Sequence, residues 1–280
     1  MTAAADMWLA MPSRADNVAL VRQAFGGLAD AMGIAEPLLA DVKTAVSEAC
    51  NNVVVHAYDG AEGPLQVGAH ATGHELSVLV RDQGSGIRPT PVTSEQGVHG
   101  VGLSLIQALT ERVEFGGGEG HGTEIRMIFM AEHELESGGE GSAALQAEAP
   151  ADGLVVSIAQ GELVSPVLGR VVAMLAARAG FSIDRLSDAQ LVSDALSAHA
   201  PAYLRADDVR VAFADGDRTL EARVGPLVDG GAERLLSDAD LPGIGRLLDQ
   251  LADGVAVDRA EGTEYLVLEL GDDRRGDGAS

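Results

Sequence analysis

The second half of this chain replays the first. A strand, two helices, a hairpin, a loop, a further helix and a closing hairpin can be read in the same order on either side of a Glu-, Gly- and Ser-rich stretch at residues 132–152. Several landmarks recur in that order. Ser193-Asp194-Ala195 stands where Ser47-Glu48-Ala49 stands, and His199-Ala200 echoes His56-Ala57. Gly243-Ile244-Gly245 echoes Gly100-Val101-Gly102, and Gly262-Thr263-Glu264 repeats Gly122-Thr123-Glu124. A repeat of this kind predicts two copies of one α/β unit, at residues 1–131 and 153–270, joined by a linker at 132–152 and followed by a polar tail at 271–280. With 280 residues and an apolar fraction of 46%, the chain has enough material for two packed cores.

The first copy can be read element by element. Met7–Met11 suits a short strand, Pro12 breaks it, and Ser13 offers a hydroxyl to cap the helix that follows. Val18, Leu20, Val21, Phe25, Leu28 and Met32 fall at helical intervals, with Gly33 placed for a left-handed stop. A second helix is expected from Pro37 to Tyr58, its buried stripe marked by Leu38, Val42, Val46, Ala49 and Val53. Strands near Leu65–Ala71 and Leu76–Asp82 flank a turn at Thr72-Gly73-His74-Glu75. Gln83–His99 is aperiodic, and a loop of that length in a compact domain is usually functional. A helix over Gly102–Arg112, a strand at Val113–Phe115, a Gly-rich turn and a strand at Thr123–Ala131 complete the unit.

Charge narrows the function classes. Against 43 Asp and Glu stand 19 Lys and Arg, a formal charge of −24 that repels nucleic-acid backbones and anionic lipid. Aromatics make up 3% of the chain and are not interleaved with basic residues as a base-stacking surface needs. The single cysteine, Cys50, cannot form an internal disulfide and reads as a small buried residue. Without a signal-like N-terminus or a bilayer-length apolar run, the expectation is a cytoplasmic protein that binds neither nucleic acid nor membrane. The seven histidines include no pair at zinc-ligand spacing; His74 and His133 read as loop residues and His56 as packed near a helix end.

Chemistry concentrates at four places. Glu48 and Asn52 lie four apart on the second helix and so share a face opposite the apolar stripe. A carboxylate beside an amide suits a site where the amide oxygen ligates Mg²⁺ and the acid accepts a hydroxyl proton, though a solvated helix face has the same composition. At the end of a strand, Asp82-Gln83-Gly84-Ser85-Gly86-Ile87 sets an acid before two glycines. A carboxylate there can accept from an exocyclic amine while the glycines let a flat ring approach, and a plain Asp-Gly turn would look alike. Gly97-Val98-His99-Gly100-Val101-Gly102-Leu103 opens into a helix, whose first N–H groups and dipole attract phosphate. It follows no strand of a βαβ unit, so the dinucleotide fingerprint fails its context. Gly122-Thr123 starts the last strand, as a base-reading hydroxyl or simply as a residue leaving a turn.

Together and in this order, the Glu48–Asn52 helix with His56-Ala57-Tyr58, then Asp82-x-Gly84-x-Gly86, then Gly100-x-Gly102-Leu103, then Gly122-Thr123, resemble the GHKL ATPase superfamily. Within it, the likeness is to the anti-sigma-factor serine/threonine kinases. The resemblance covers residues 7–131 strongly and the second half as a degenerate echo. It implies an α+β fold, a two-layer α/β sandwich of the Bergerat type, tandemly repeated, with ATP and Mg²⁺ as cofactors. It implies Glu48 as general base toward a serine hydroxyl, Asn52 as the Mg²⁺ ligand and Asp82 as the reader of adenine. Gly84, Gly86 and Ile87 would shape the adenine pocket. His99, Gly100, Val101, Gly102 and Leu103 would line the phosphates, residues 88–99 would form a lid, and Thr123 would support the base-binding network. The partners implied are an anti-anti-sigma (STAS) protein and a sigma factor.

In the second copy the Asn52 counterpart falls near Ala198 and the Asp82 counterpart near Pro226, and Asp194 at the base position does not rescue the site. That copy is expected not to bind ATP, and to replace the second subunit of a dimer within one chain or to accompany a homodimer. Two other readings stay open: a non-catalytic ATP-binding module that sequesters a partner protein, and a histidine-kinase catalytic piece.

Overall fold

Residues 5–85, 101–118, 122–136, 153–241, 245–260 and 262–272 are described in the structure, a computed structural model. Strand β1 (Met7–Pro12) leads into α1 (Ala15–Met32) and α2 (Glu36–Asn52), followed by β2 (Pro64–Thr72) and β3 (Glu75–Asp82). Helix α3 (Val101–Leu109), β4 (Arg112–Gly117) and β5 (Thr123–Met130) close the first half. The second half runs β6 (Leu154–Ala159), α4 (Val164–Arg178), α5 (Ile183–His199), β7 (Asp208–Gly216) and β8 (Thr219–Leu227). It continues with α6 (Gly231–Asp238), β9 (Asp240–Leu241), β10 (Gly245–Arg246), α7 (Leu247–Leu251), β11 (Gly254–Ala260) and β12 (Thr263–Gly271). Gly86, Ile87, His99, Gly100, most of the expected linker and the tail from residue 273 lie outside the described residues.

Helix α1 forms where its periodicity puts it. Val18, Val21, Phe25, Leu28 and Met32 are buried, and the helix stops on Gly33 at φ 67°, the left-handed region glycine enters without a Cβ penalty. Ser13 does not cap it. The residue at the capping position is Arg14, with no side-chain cap, and Ser13 Oγ instead accepts from Gly63 N–H at 3.1 Å. With Ser13 N–H donating to Gly63 O at 2.8 Å, the serine extends the β1–β2 ladder beyond Pro12 and Pro64, a use the capping pattern does not reveal.

The second helix also departs from expectation. Regular α2 ends at Asn52, and Val53–Ala57 is a π-helical turn. Three consecutive β-branched residues, Val53-Val54-Val55, crowd an α-helical ladder, and a widened turn relieves that crowding while freeing backbone groups for other partners.

Ten strands make one sheet in the order β11-β12-β8-β7-β6-β1-β2-β3-β5-β4. The order is palindromic: reading outward from the β1–β6 pair, each strand meets its counterpart in the other half. The two central strands run antiparallel, Met7 opposite Ile158 and Ala10 opposite Val155. Every residue of Met-Trp-Leu-Ala-Met-Pro is buried: the strand is flanked on both edges, Met7, Leu9 and Met11 join the core under the helices, and on the other face Trp8 lies over Gly68 and Ala10 packs with Val155. Helices cover one face. There α1 crosses α4 so closely that a methyl on Gly27 would overlap the Pro166 carbonyl oxygen. Arg178 adds a fork to Asp215 (both 2.7 Å) and a bond to Asn17 Oδ1 at 2.8 Å, and Arg170 Nε reaches Asp30 at 3.0 Å. One apolar cluster runs through both halves, so the halves pack as a unit and do not swing on a linker. The architecture is the α+β, sheet-and-helix layering of the Bergerat type.

Candidate functional site

Four segments far apart in sequence meet at one end of the first half. On α2, Glu48 and Asn52 are both half-buried on one face, while Leu39, Val42, Val46 and Ala49 bury the opposite one. Helix α3 begins directly against Glu48. A methyl on Gly102 would overlap Glu48 Oε1, so the carboxylate touches the first turn of α3 only because residue 102 has no side chain. The backbone N–H end of α3, with the positive end of the helix dipole, lies at that turn. A proton-accepting group and an anion cradle therefore face each other.

Asp82 closes β3 at 3% exposure, its Oδ1 accepting from Gly84 N–H at 2.8 Å. The turn after it is anchored to the π-helical turn: Ser85 N–H donates to Ala57 O at 2.9 Å, and a methyl on Gly84 would overlap that same carbonyl. Tyr58, next in sequence, accepts from Gln83 N–H at 2.8 Å and donates to Pro64 O at 2.6 Å. Burial raises the Tyr58 hydroxyl above its ordinary pKa; the Gln83 hydrogen bond lowers it, and the nearby Asp82 charge raises it. From the other side, Gly122 (φ 72°) donates to Gly84 O at 3.2 Å and has no room for a side chain beside the Asp82 carbonyl, which places Thr123, 7% exposed, next to Asp82.

The structure thus brings Glu48, Asn52, Asp82, Gly84, Gly102, Leu103 and Thr123 to one region, on the ends of α2, α3, β3 and β5. Val101 opens α3, and Leu103 packs partly buried against the core. Sequence reasoning gave no role to Tyr58, the Ala57 carbonyl or Gly122, which hold the Asp82 turn. Tyrosine is one of three in the chain, and its position one residue after the helical run was the available signal. His56, within the π-helical turn, is exposed rather than packed. His74 and His133 are exposed. Cys50 is fully buried and burial pushes its thiol up to about 12, so it is no nucleophile.

The donor set fits a Mg²⁺-nucleotide. Among the described residues no group of three or more His, Cys, Asp or Glu side chains stands ready to hold a metal alone. One amide oxygen at Asn52 suits a Mg²⁺ that takes its remaining oxygens from phosphate and water. Glycines at 84, 102 and 122 let the Asp82 turn, the start of α3 and the start of β5 close on the Ala57 carbonyl, the Glu48 carboxylate and the Asp82 carbonyl, which draws these groups together.

In the second half the counterparts differ. Val80 faces Ile125 and Val224 faces Leu266, so counting two residues on from each puts Pro226 in the place of Asp82. A register shift between Glu264 and Leu266 then places Glu264, not Thr263, in the inward position of Thr123, one residue off the Gly-Thr-Glu echo. Asp194 is exposed and takes a bond from Gln190, and Ala198 offers no ligand.

Comparison with known proteins agrees with this geometry. Residues 11–129 match the model for the histidine kinase-like ATPase domain. "Serine-protein kinase RsbW" of Halalkalibacterium halodurans is 29% identical over 153 residues, covering 50% of this chain and 93% of that protein. The protein of the same name from Bacillus mycoides is 28% identical over 141 residues, covering 46% of this chain and 88% of its own length. A solved structure titled "Structure of crystal form III of TP0453" covers 96% of this chain and 92% of that one at 11% identity and a TM-score of 0.33, too slight a likeness to bear on the fold. With the motif order, the sheet and these matches in agreement, residues 11–129 belong to the histidine kinase-like ATPase family, the GHKL superfamily, and are of the RsbW type.

Proposed function

We propose that the chain is an ATP-dependent serine/threonine protein kinase of the anti-sigma-factor type, acting in the cytoplasm on an anti-anti-sigma (STAS) protein and thereby on a sigma factor. The observation that carries this reading is the contact of the Glu48 carboxylate with the α3 start at Gly102. It sets a proton acceptor directly beside the helix start at which a terminal phosphate would be held. The relatives named serine-protein kinase support the reaction class.

On this reading Asp82 receives the adenine amine, Thr123 supports the same base, and Gly84 lets the Asp82 turn close on the Ala57 carbonyl. Asn52 holds Mg²⁺, and the α3 start receives the phosphates. Glu48 takes the proton from the attacking serine hydroxyl. Bound Mg²⁺-ATP supplies the phosphoryl group and the neutralising charge; the chain's own task is positioning, which suffices for a loose, dissociative transfer.

Incubation of the full chain with Mg²⁺-ATP and a candidate STAS protein tests the proposal. Phosphoserine or phosphothreonine should form with the wild type and fall by about 10²–10⁴-fold in Glu48→Gln, the usual range for a general base, while nucleotide affinity stays within about threefold. Nucleotide binding without any transfer would make the chain a nucleotide-gated module that sequesters its partner. Acid-labile phosphate on the partner would instead mark a histidine kinase.

A further inference from the structure

We propose that the second half is a self-closed copy of the nucleotide fold, in which α6 is clasped over the sheet end and the Glu264 carboxylate takes the place of a ligand's anionic group. This rests on reading the first half as the nucleotide site, and it extends that reading to a region no motif assigns.

The register supplies the first observation. Glu264 occupies the inward position that Thr123 holds in the first half, so its side chain enters the space where the other copy has its adenine-reading group. It is 4% exposed there. Its Oε1 accepts from Ala232 N–H at 2.8 Å, its Oε2 accepts from Gly230 N–H at 3.3 Å, and Arg259 approaches at 3.3 Å. Two backbone donors at a helix start and a guanidinium are what a bound phosphate or carboxylate would receive. The chain has filled that role itself.

The second observation is the helix those donors belong to. In the first half the Asp82 turn leads into the glycine segment; in the second, the chain after β8 turns at once into α6, burying Ala232, Leu235 and Leu236. Tyr203, in the turn after α5, holds it down. Its carbonyl accepts from Val228 N–H at 2.8 Å, its hydroxyl bonds Asp238 at the far end of α6, and the Arg234 guanidinium lies 5.3 Å from its ring centroid. Arg246 fastens the exposed side through Glu233 and Ser237. Asp229, three residues after the place of Asp82, is turned outward onto Arg205 at 2.7 Å. Among the described residues, Glu264, Tyr203, Arg234 and Arg246 are thus all engaged with α6 or its start within the chain.

Hydrogen exchange on the full chain, with and without Mg²⁺-ADP, tests the proposal alongside calorimetric stoichiometry. In the wild type, α6 amides should be protected to the same degree in both conditions, with one nucleotide bound per chain. In Glu264→Ala, α6 exchange should rise about tenfold, with first-half affinity within threefold. Should that variant fail to fold, the wild-type comparison and Asp82→Asn decide. Two nucleotides per wild-type chain, an unprotected α6 without ligand, or α6 protection that rises with Mg²⁺-ADP in Asp82→Asn would overturn the closed copy. Zero nucleotides with α6 still protected would overturn the first-half reading and leave the clasp standing.

Discussion

At Gly102 the requirement is space. Ala there would push Glu48 from the start of α3, and the expected result is loss of transfer together with a weakening of nucleotide affinity by about tenfold, about 1.4 kcal/mol, in calorimetric titration. Asp82→Asn keeps the shape of the turn but exchanges an acceptor oxygen for a donor. A hydrogen bond to a charged group contributes about 1.5–3 kcal/mol, so ADP affinity should fall about 10- to 100-fold, and unchanged affinity would remove adenine from this place. Tyr58→Phe deletes only the hydroxyl that accepts from Gln83 and donates to Pro64. Unfolding should become easier by about 1 kcal/mol, seen as a lower urea midpoint. At this scale much of the site was legible. Glu48, Asn52, Asp82, Gly102 and Thr123 are chemically distinctive and the fold gathers them at one end of the first half, whereas Tyr58 and the Ala57 carbonyl act through backbone partners that only the folded chain brings near.

The elements were legible where periodicity alone decides them. Helix α1 ends where Gly33 says it must, and the Thr72–Glu75 turn forms as its composition suggests. The end of α2 was not legible from its apolar period, because Val53 continues the buried stripe while the crowding of Val53-Val54-Val55 widens the turn without interrupting that period. Helix α6 carries its own prediction. The Ala232 N–H bond foremost, against the opposing effect of burial, and then Gly230 and Arg259 hold the Glu264 carboxyl below the ordinary glutamate range. Asp272 is held low in the same direction, first by the Ser182 N–H. A folded-state pKa below the unfolded one stabilises above the ordinary carboxylate range, about pH 4, and that contribution is lost as pH falls through the depressed value. Glu264→Gln should therefore be less stable than the wild type at neutral pH, and the gap between their urea midpoints should close below about pH 4. Packing of α1 on α4 is equally exposed to test: Gly27→Val drives a side chain into Pro166, and overpacking of this kind costs about 1–3 kcal/mol.

For the molecule as a whole, the palindromic sheet decides what is left open. Strands β1 and β6 use each other's edges, and α1 and α4 cover each other's faces, so a chain of 28.8 kDa should sediment as a monomer. Removing the second half would uncover the β1 edge along Met7–Ala10, and the remaining fragment should self-associate in light scattering. The sequence repeat foretold two similar units; that they share one sheet through their first strands was hidden, since no residue in Met7–Pro12 records which strand lies beyond it. The joint at Met7–Ile158 has one more consequence. Two separate subunits meeting there would come apart on dilution, but a tether keeps the effective concentration of the pairing fixed, so turnover per molecule should stay constant however scarce the protein becomes.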